Sequence, residues 1–216
     1  MYCDKIYPFK TGLLLNRLLL LMVLLFSLSA SADNESTLLI IGDSLSSGYG
    51  VPLDESWAKK LSEKLVVYNI HVTNASVSGE TTSVGLAKLQ SLLTQYKPKM
   101  VLLALGSNDG LRATQISLMR DNIEEMIRLS FNSGAKVALV GLKLPVNYGD
   151  YATYFANSFV QTAKANPEVI YIPFFLEEFS DDYSYFQEDL LHPNAKAQDI
   201  ILETIYKHIK PHLIKN

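Results

Sequence analysis

The chain has 216 residues, enough for one substantial core, and 48% of them are hydrophobic. Its 19 basic residues are outnumbered by 22 acidic ones, a formal net charge of −3, which excludes the basic footprint of a nucleic-acid binder. A single cysteine excludes a disulfide framework, so stability has to come from packing. The first element is a leader. Lys5, Lys10 and Arg17 give a positive start, Leu18 to Leu28 is almost continuously apolar, and Ala30-Ser31-Ala32 is a small-x-small sequence before Asp33. This is the pattern of a secretory signal peptide over residues 1–32. The rival is an uncleaved membrane anchor, but this apolar run falls short of the about 20 residues a bilayer requires. Cleavage near Ala32 removes three basic residues, one acidic residue and Cys3, leaving 16 against 21 and a net charge of −5 over 33–216. The expected location is the periplasm or the secreted fraction.

Leu38-Leu39-Ile40-Ile41 reads as a strand buried on both faces, ending at Gly42-Asp43-Ser44. Trp57, Leu61 and Leu65 mark one face of a helix. Asn69 to Ala75 predicts a second strand, with Ile70, Val72 and Ala75 as its inward residues. Thr82 to Tyr96 predicts a helix with Val84, Leu86, Leu89, Leu92 and Leu93 on its apolar positions, ended by Lys97-Pro98. Met100 to Leu105 is a third, central strand, and Ile116 to Ile127 lie on a long helix stopped at Asn132-Ser133-Gly134. Lys136 to Gly141 is a fourth strand, Tyr148 to Ala165 a helix rich in aromatics, and Val169 to Ile172 a short fifth strand. Phe174 to Glu188 reads as irregular, and Ile201, Ile205 and Ile209 line a final helix. Strand and helix alternate throughout, with connections too long for hairpins. That predicts an α/β fold, a three-layer α/β/α sandwich on a five-stranded parallel sheet, as one domain over 33–216.

Loops at the carboxyl edge of such a sheet share one crevice. The first carries Ser44, either a cap of the next helix or a nucleophile. The second carries Gly79, where a missing side chain lets a backbone N–H approach a substrate, and the third carries Asn108, whose amide can donate to an oxyanion. A serine needs a base, and the chain has four histidines. His71 falls within a strand, while His208 and His212 suit a helix terminus. His192 follows the irregular stretch with Asp189 three residues before it, a spacing that lets the carboxylate hold the ring through Nδ1–H. On that reading no metal or cofactor is called for.

Together these residues resemble the SGNH (or GDSL) hydrolase family, whose four blocks stand here in order. Gly42-Asp43-Ser44-Leu45-Ser46 is similar to the first, Asn74 to Thr81 to the second, Gly106-Ser107-Asn108-Asp109 to the third, and Asp189-Leu190-Leu191-His192-Pro193 to the last. Leu45 to Gly50 and Asn108 to Arg112 look like the small secreted bacterial branch of thioesterase I, lysophospholipase and arylesterase type. Ser46 and Ser47 depart from the Thr and Ala expected there. The Gly-x-Ser-x-Gly elbow of α/β-hydrolases is absent, because Ser46 takes its last position. The resemblance implies a flavodoxin-like SGNH fold and an esterase with Ser44, His192 and Asp189 as its triad. It implies an oxyanion hole of Ser44 N–H, Gly79 N–H and the Asn108 amide. Leu111, Leu144 and Pro145, with Tyr148, Tyr151, Tyr154 and Phe155, are candidates for an acyl groove; ordinary core packing is the alternative for each. The expected partners are a small ester or lipid substrate and transient contact with membrane lipids, with no nucleic acid, and the expected state is a monomer. A carbohydrate O-acetylesterase of the same superfamily is the alternative activity.

Overall fold

The computed structural model describes residues 36–214, so the leader and its cleavage near Ala32 lie outside the described residues. The five aliphatic runs become β1 (Ser36–Gly42), β2 (Ile70–Asn74), β3 (Met100–Ala104), β4 (Lys136–Val140) and β5 (Ile170–Ile172). All pair in parallel, in the order β2-β1-β3-β4-β5. Helices cover both faces, which is why Leu38 to Ile41 and Met100 to Leu103 are completely buried. At the edge, β2 is covered only in part: Ile70 is buried, Val72 and Thr73 are half-buried, and His71 and Asn74 are exposed. Asn69 stays outside the strand because its φ is +57°, and Ala75 lies beyond its end, half-buried.

The helices are α1 (Ser44–Ser47), α2 (Trp57–Val66), α3 (Thr82–Tyr96), α4 (Ser107–Leu111), α5 (Ile116–Asn132), α6 (Asp150–Ala165) and α7 (Gln198–Leu213). Helices α2 and α7 pack together on one face, and α3, α5 and α6 on the other. This is the three-layer sandwich. Trp57, Leu61 and Leu65 of α2 and Ile201, Ile205 and Ile209 of α7 are fully buried, each aliphatic side chain stabilising the fold by roughly 1.5–3 kcal/mol. On α3 the apolar face departs from expectation. Val84 is 53% exposed and Gly85 takes the buried position, because the helix runs too close to Leu105 for a side chain. The aromatic helix starts at Asp150, after a separate 3-10 turn at Val146–Tyr148. The irregular stretch is anchored: it buries Phe175, Leu176 and Phe179, and the Phe179 ring lies 5.3 Å from Tyr185 and 5.6 Å from Phe186.

After β1 the chain goes to β2 on one side and then crosses to β3 on the other. The strand order therefore reverses at β1, which opens a crevice at the carboxyl ends. Gly42 and Ala104 are register partners, so β1 and β3 end level with each other. The short helices α1 and α4 begin directly past those two ends.

Candidate active site

The turn after β1 is shaped by Asp43. Its Oδ1 accepts the Leu45 N–H at 3.1 Å, and its carbonyl accepts the N–H groups of Ser46 and Ser47 at 3.1 and 2.9 Å. Capping and turn formation are thus the work of Asp43, one residue before Ser44. Gly42 has to be a glycine here, since a Cβ would stand 2.7 Å from Ser46 Oγ and 3.0 Å from the Ala104 carbonyl. Of the two departures in this turn, Ser46 is fully buried and Ser47 bonds Ser78 Oγ at 2.9 Å, tying the turn to the neighbouring loop.

Ser44 Oγ lies 2.9 Å from His192 Nε2, and His192 Nδ1 lies 2.7 Å from Asp189 Oδ2. The other Asp189 oxygen accepts the N–H groups of Leu191 and His192, both at 2.9 Å. With Nδ1 protonated and donating to Asp189, Nε2 is the acceptor for the Ser44 hydroxyl. The other three histidines are elsewhere. His71 is exposed on β2, His208 Nδ1–H donates to the Thr204 carbonyl at 2.8 Å, and His212 is exposed at the end of α7.

Two carboxylates, Asp189 at the end of this chain of bonds and Asp43 beside its serine, behave oppositely. Burial pushes Asp43 up to about 6, and the Leu45 N–H, the polar groups of Ser107 and the nearby His192 only partly offset it. It is wholly inaccessible, and its Oδ2 makes no hydrogen bond of ordinary geometry. Partial burial also pushes Asp189 up, but the N–H groups of His192 and Leu191 and the His192 ring outweigh it and hold the carboxyl below the usual range.

The oxyanion candidates converge on the same edge. Gly79 has a φ of +81°, and no protein atom lies within 4 Å of where its Cβ would stand. Glycine is therefore required by backbone conformation, not by crowding from the protein. Asn108 uses one Nδ2 hydrogen on the Glu80 carbonyl at 3.1 Å, which turns its amide toward the loop of Gly79. Arg112 Nη2–H donates to the Gly79 carbonyl at 3.1 Å. Asp109, buried beneath, accepts both the N–H and the hydroxyl of Thr82 at 2.8 and 2.7 Å, and so anchors α4 to the start of α3.

The acyl-groove candidates are not gathered into one surface. Phe155 is fully buried and packs on Phe159, Tyr154 is 65% exposed, and Pro145 is exposed. Tyr148 and Tyr151 donate to the carbonyls of Leu111 and Thr114 at 3.1 and 2.7 Å, bracing the 3-10 turn and the start of α6 against the end of α4 and the residues after it. A cavity of about 340 Å³ is lined by Leu144, Val146, Ala152 and Ala156 among others, but by neither Leu111 nor Pro145.

Sequence reasoning missed two residues around His192. Gln187 Nε2 donates to the Tyr49 carbonyl at 2.8 Å and the Pro193 carbonyl at 3.1 Å. The Tyr49 ring lies against the imidazole, centroids 4.7 Å apart. Gln187 sits in a stretch without period and leaves no signal, whereas Tyr49 stands within the Leu45 to Gly50 stretch that follows the nucleophile candidate.

A serine, a histidine and an aspartate linked in this order beside backbone and amide donors form the arrangement by which serine hydrolases attack acyl carbon. The model of the GDSL-like Lipase/Acylhydrolase family matches residues 40–200. An arylesterase of Vibrio mimicus is 39% identical over 198 residues, covering 90% of this chain and 98% of that one. Thioesterase 1/protease 1/lysophospholipase L1 of Escherichia coli K12 is 38% identical over 193 residues, covering 89% and 90%. Among solved structures, the psychrotrophic esterase EstA from Pseudoalteromonas sp., inhibited by monoethylphosphonate, superposes with a TM-score of 0.77 at 38% identity, covering 82% of this chain and 98% of that one. The chain belongs to the GDSL-like lipase/acylhydrolase family.

Proposed function

We propose that the protein is a secreted serine esterase that cleaves carboxylic esters and thioesters through an acyl-enzyme on Ser44. Family membership makes it a carboxylic-ester hydrolase. The finer reading is carried by one observation, the continuous bonding of Ser44 to His192 at 2.9 Å and of His192 to Asp189 at 2.7 Å. His192 takes the Ser44 proton as Oγ attacks the carbonyl, and Asp189 stabilises the imidazolium. The N–H groups of Ser44 and Gly79 and the second Nδ2 hydrogen of Asn108 hold the oxyanion. His192 then protonates the leaving group and activates water against the acyl-enzyme. Every proton in the cycle has a named carrier within this chain.

Lysophospholipids and other fatty-acyl esters are the proposed substrates, with acyl thioesters cleaved in vitro. Leu144, Val146, Ala152 and Ala156 give the cavity of about 340 Å³ an apolar lining, alongside the polar Lys143, Thr153 and Asn157. Secretion favours lipid esters over coenzyme A thioesters, which are cytoplasmic. Among the described residues no helix is long and apolar enough to cross a membrane, and export rests on the leader. Sequencing of the exported protein should begin at Asp33. A chain-length series of nitrophenyl esters should peak at medium or long acyl groups, and a peak at acetate would replace this substrate class by the carbohydrate O-acetylesterase reading. Ser44→Ala should abolish labelling by a fluorophosphonate probe; persistent labelling would mean a different nucleophile.

A further inference from the structure

The loop that carries Gly79 is held at both ends by one lysine. Lys88, on α3, donates to the Ala75 carbonyl at 2.6 Å, just before the loop, and to Glu80 Oε2 at 2.5 Å, just after Gly79. Glu80 is nearly inaccessible, its side chain 4% exposed, against 25% for Lys88. A carboxylate held this far from water is costly unless its partner is fixed, so the pair is no ordinary surface ion pair of small worth. The Glu80 carbonyl is also the acceptor that orients the Asn108 amide. The rest of the loop is tied by Ser76 N–H to Asn74 Oδ1 at 3.1 Å, Val77 N–H to the Gly42 carbonyl at 3.1 Å, Glu80 N–H to the Val77 carbonyl at 3.1 Å, the Ser47–Ser78 hydroxyl pair, and Arg112 on the Gly79 carbonyl.

We infer that Lys88 and Glu80 are positioning residues for the oxyanion hole: Lys88 pins Glu80, whose carbonyl in turn aims the Asn108 amide beside Gly79. This rests on the reading of Asn108 as an oxyanion donor. Without the lysine, the Glu80 carboxylate turns toward water and takes its own peptide with it. The Asn108 amide then loses the acceptor that orients it. Neither residue touches the substrate; both act through backbone.

The test is a double-mutant cycle on a short nitrophenyl ester, using the exported protein. Lys88→Met should lower kcat about tenfold with KM within about twofold, the size of effect a small misplacement of a donor produces. In the Asn108→Ala background, where the amide is already gone, the same substitution should slow the enzyme less than about twofold. The rate of inactivation by a fluorophosphonate, whose phosphoryl oxygen occupies the oxyanion position, should follow the same pattern. Equal slowing in both backgrounds, or no slowing in the parent, overturns the inference and leaves the pair a staple between α3 and the end of β2. A silent Asn108→Ala would instead overturn the assignment of Asn108, and the inference with it. If Lys88→Met does not fold, Glu80→Gln keeps the size and an acceptor for the lysine and should show the same background dependence with a smaller loss.

Discussion

The two halves of the candidate site are built in opposite ways. The turn bearing Ser44 continues a buried strand, and its carboxylate, Asp43, is sealed from water. The segment bearing Asp189 and His192 follows the irregular stretch instead of a strand; Gln187 and Asn194 tie it through both their side chains and their backbone N–H groups, and the Asp189 side chain is 43% exposed. The same functional group is pushed up to about 6 in the first place and held below its usual range in the second. Proximity to the nucleophile and burial are therefore poor guides to the acid that serves the base. What marks Asp189 is that each of its oxygens faces N–H donors, one of them on the His192 ring. The buried half supplies geometry and the exposed half supplies proton chemistry.

The strongest way to break that contrast is to neutralise each carboxylate in turn. Asp189→Asn should lower kcat by roughly 10⁴-fold, because the amide either donates toward Nδ1 or holds the wrong tautomer. Asp43→Asn keeps an oxygen for the Leu45 N–H and should cost far less turnover. Steady-state kinetics on one ester rank the two, and a larger loss at Asp43 would invert their roles. A folded pKa below the unfolded value means that Asp189 adds stability above about pH 4 and loses it as acid takes the pH down through its folded pKa. At neutral pH it stays ionised and available to the imidazolium.

This contrast also sorts what could be read from sequence. Buried strands are continuous aliphatic runs, so β1, β3 and β4 were legible to within a residue or two, and the strand-helix alternation carried the layer architecture. Ser44, Gly79, Asn108, Asp189 and His192 could be singled out as candidates because reactive residue types stood at predicted strand ends or at a turn spacing. Gly85 was not, since apolar periodicity counts side chains and misses a helix that approaches the sheet too closely to have one. Phe175 and Phe179 were hidden because a segment can bury aromatics without any repeat. Lys88 leaves no mark in the apolar pattern of its helix, and only the fold reveals Ala75 and Glu80 within its reach. The acyl groove was the least legible part: Tyr154 faces water and Phe155 the core, although they are adjacent in sequence.

A smaller effect sharpens the buried side of the comparison. With a folded pKa of about 6 against 3.8 for the free carboxyl, Asp43 favours the native state fully below pH 3.8 and loses that contribution as pH rises through 6. The difference amounts to about 3 kcal/mol between acid and pH 8. Asp43→Asn should abolish this term. Relative to the parent, the variant should therefore gain about 2.4 kcal/mol in urea unfolding on going from pH 4 to pH 8. A stability difference independent of pH would show that the carboxyl titrates like an exposed one, and the contrast with Asp189 would lose its electrostatic half.

The smallest effect tests how the exposed half is held. Gln187 makes three hydrogen bonds around the histidine: its Nε2 donates to the Tyr49 carbonyl and the Pro193 carbonyl, and its backbone N–H to the His192 carbonyl at 2.8 Å. Gln187→Met keeps the volume and the backbone bond but removes both side-chain donors. Two neutral hydrogen bonds contribute about 1 kcal/mol each, so folding stability should fall by roughly 1–2 kcal/mol. If those bonds also seat His192 over Ser44, kcat should drop about tenfold while KM barely moves, since only the proton-transferring geometry is disturbed. A loss of stability with unchanged kcat would mean that Tyr49, packed against the imidazole at 4.7 Å, suffices to place the ring. The acid–base segment would then be held by packing, as the nucleophile turn is, and the two halves would differ in exposure alone.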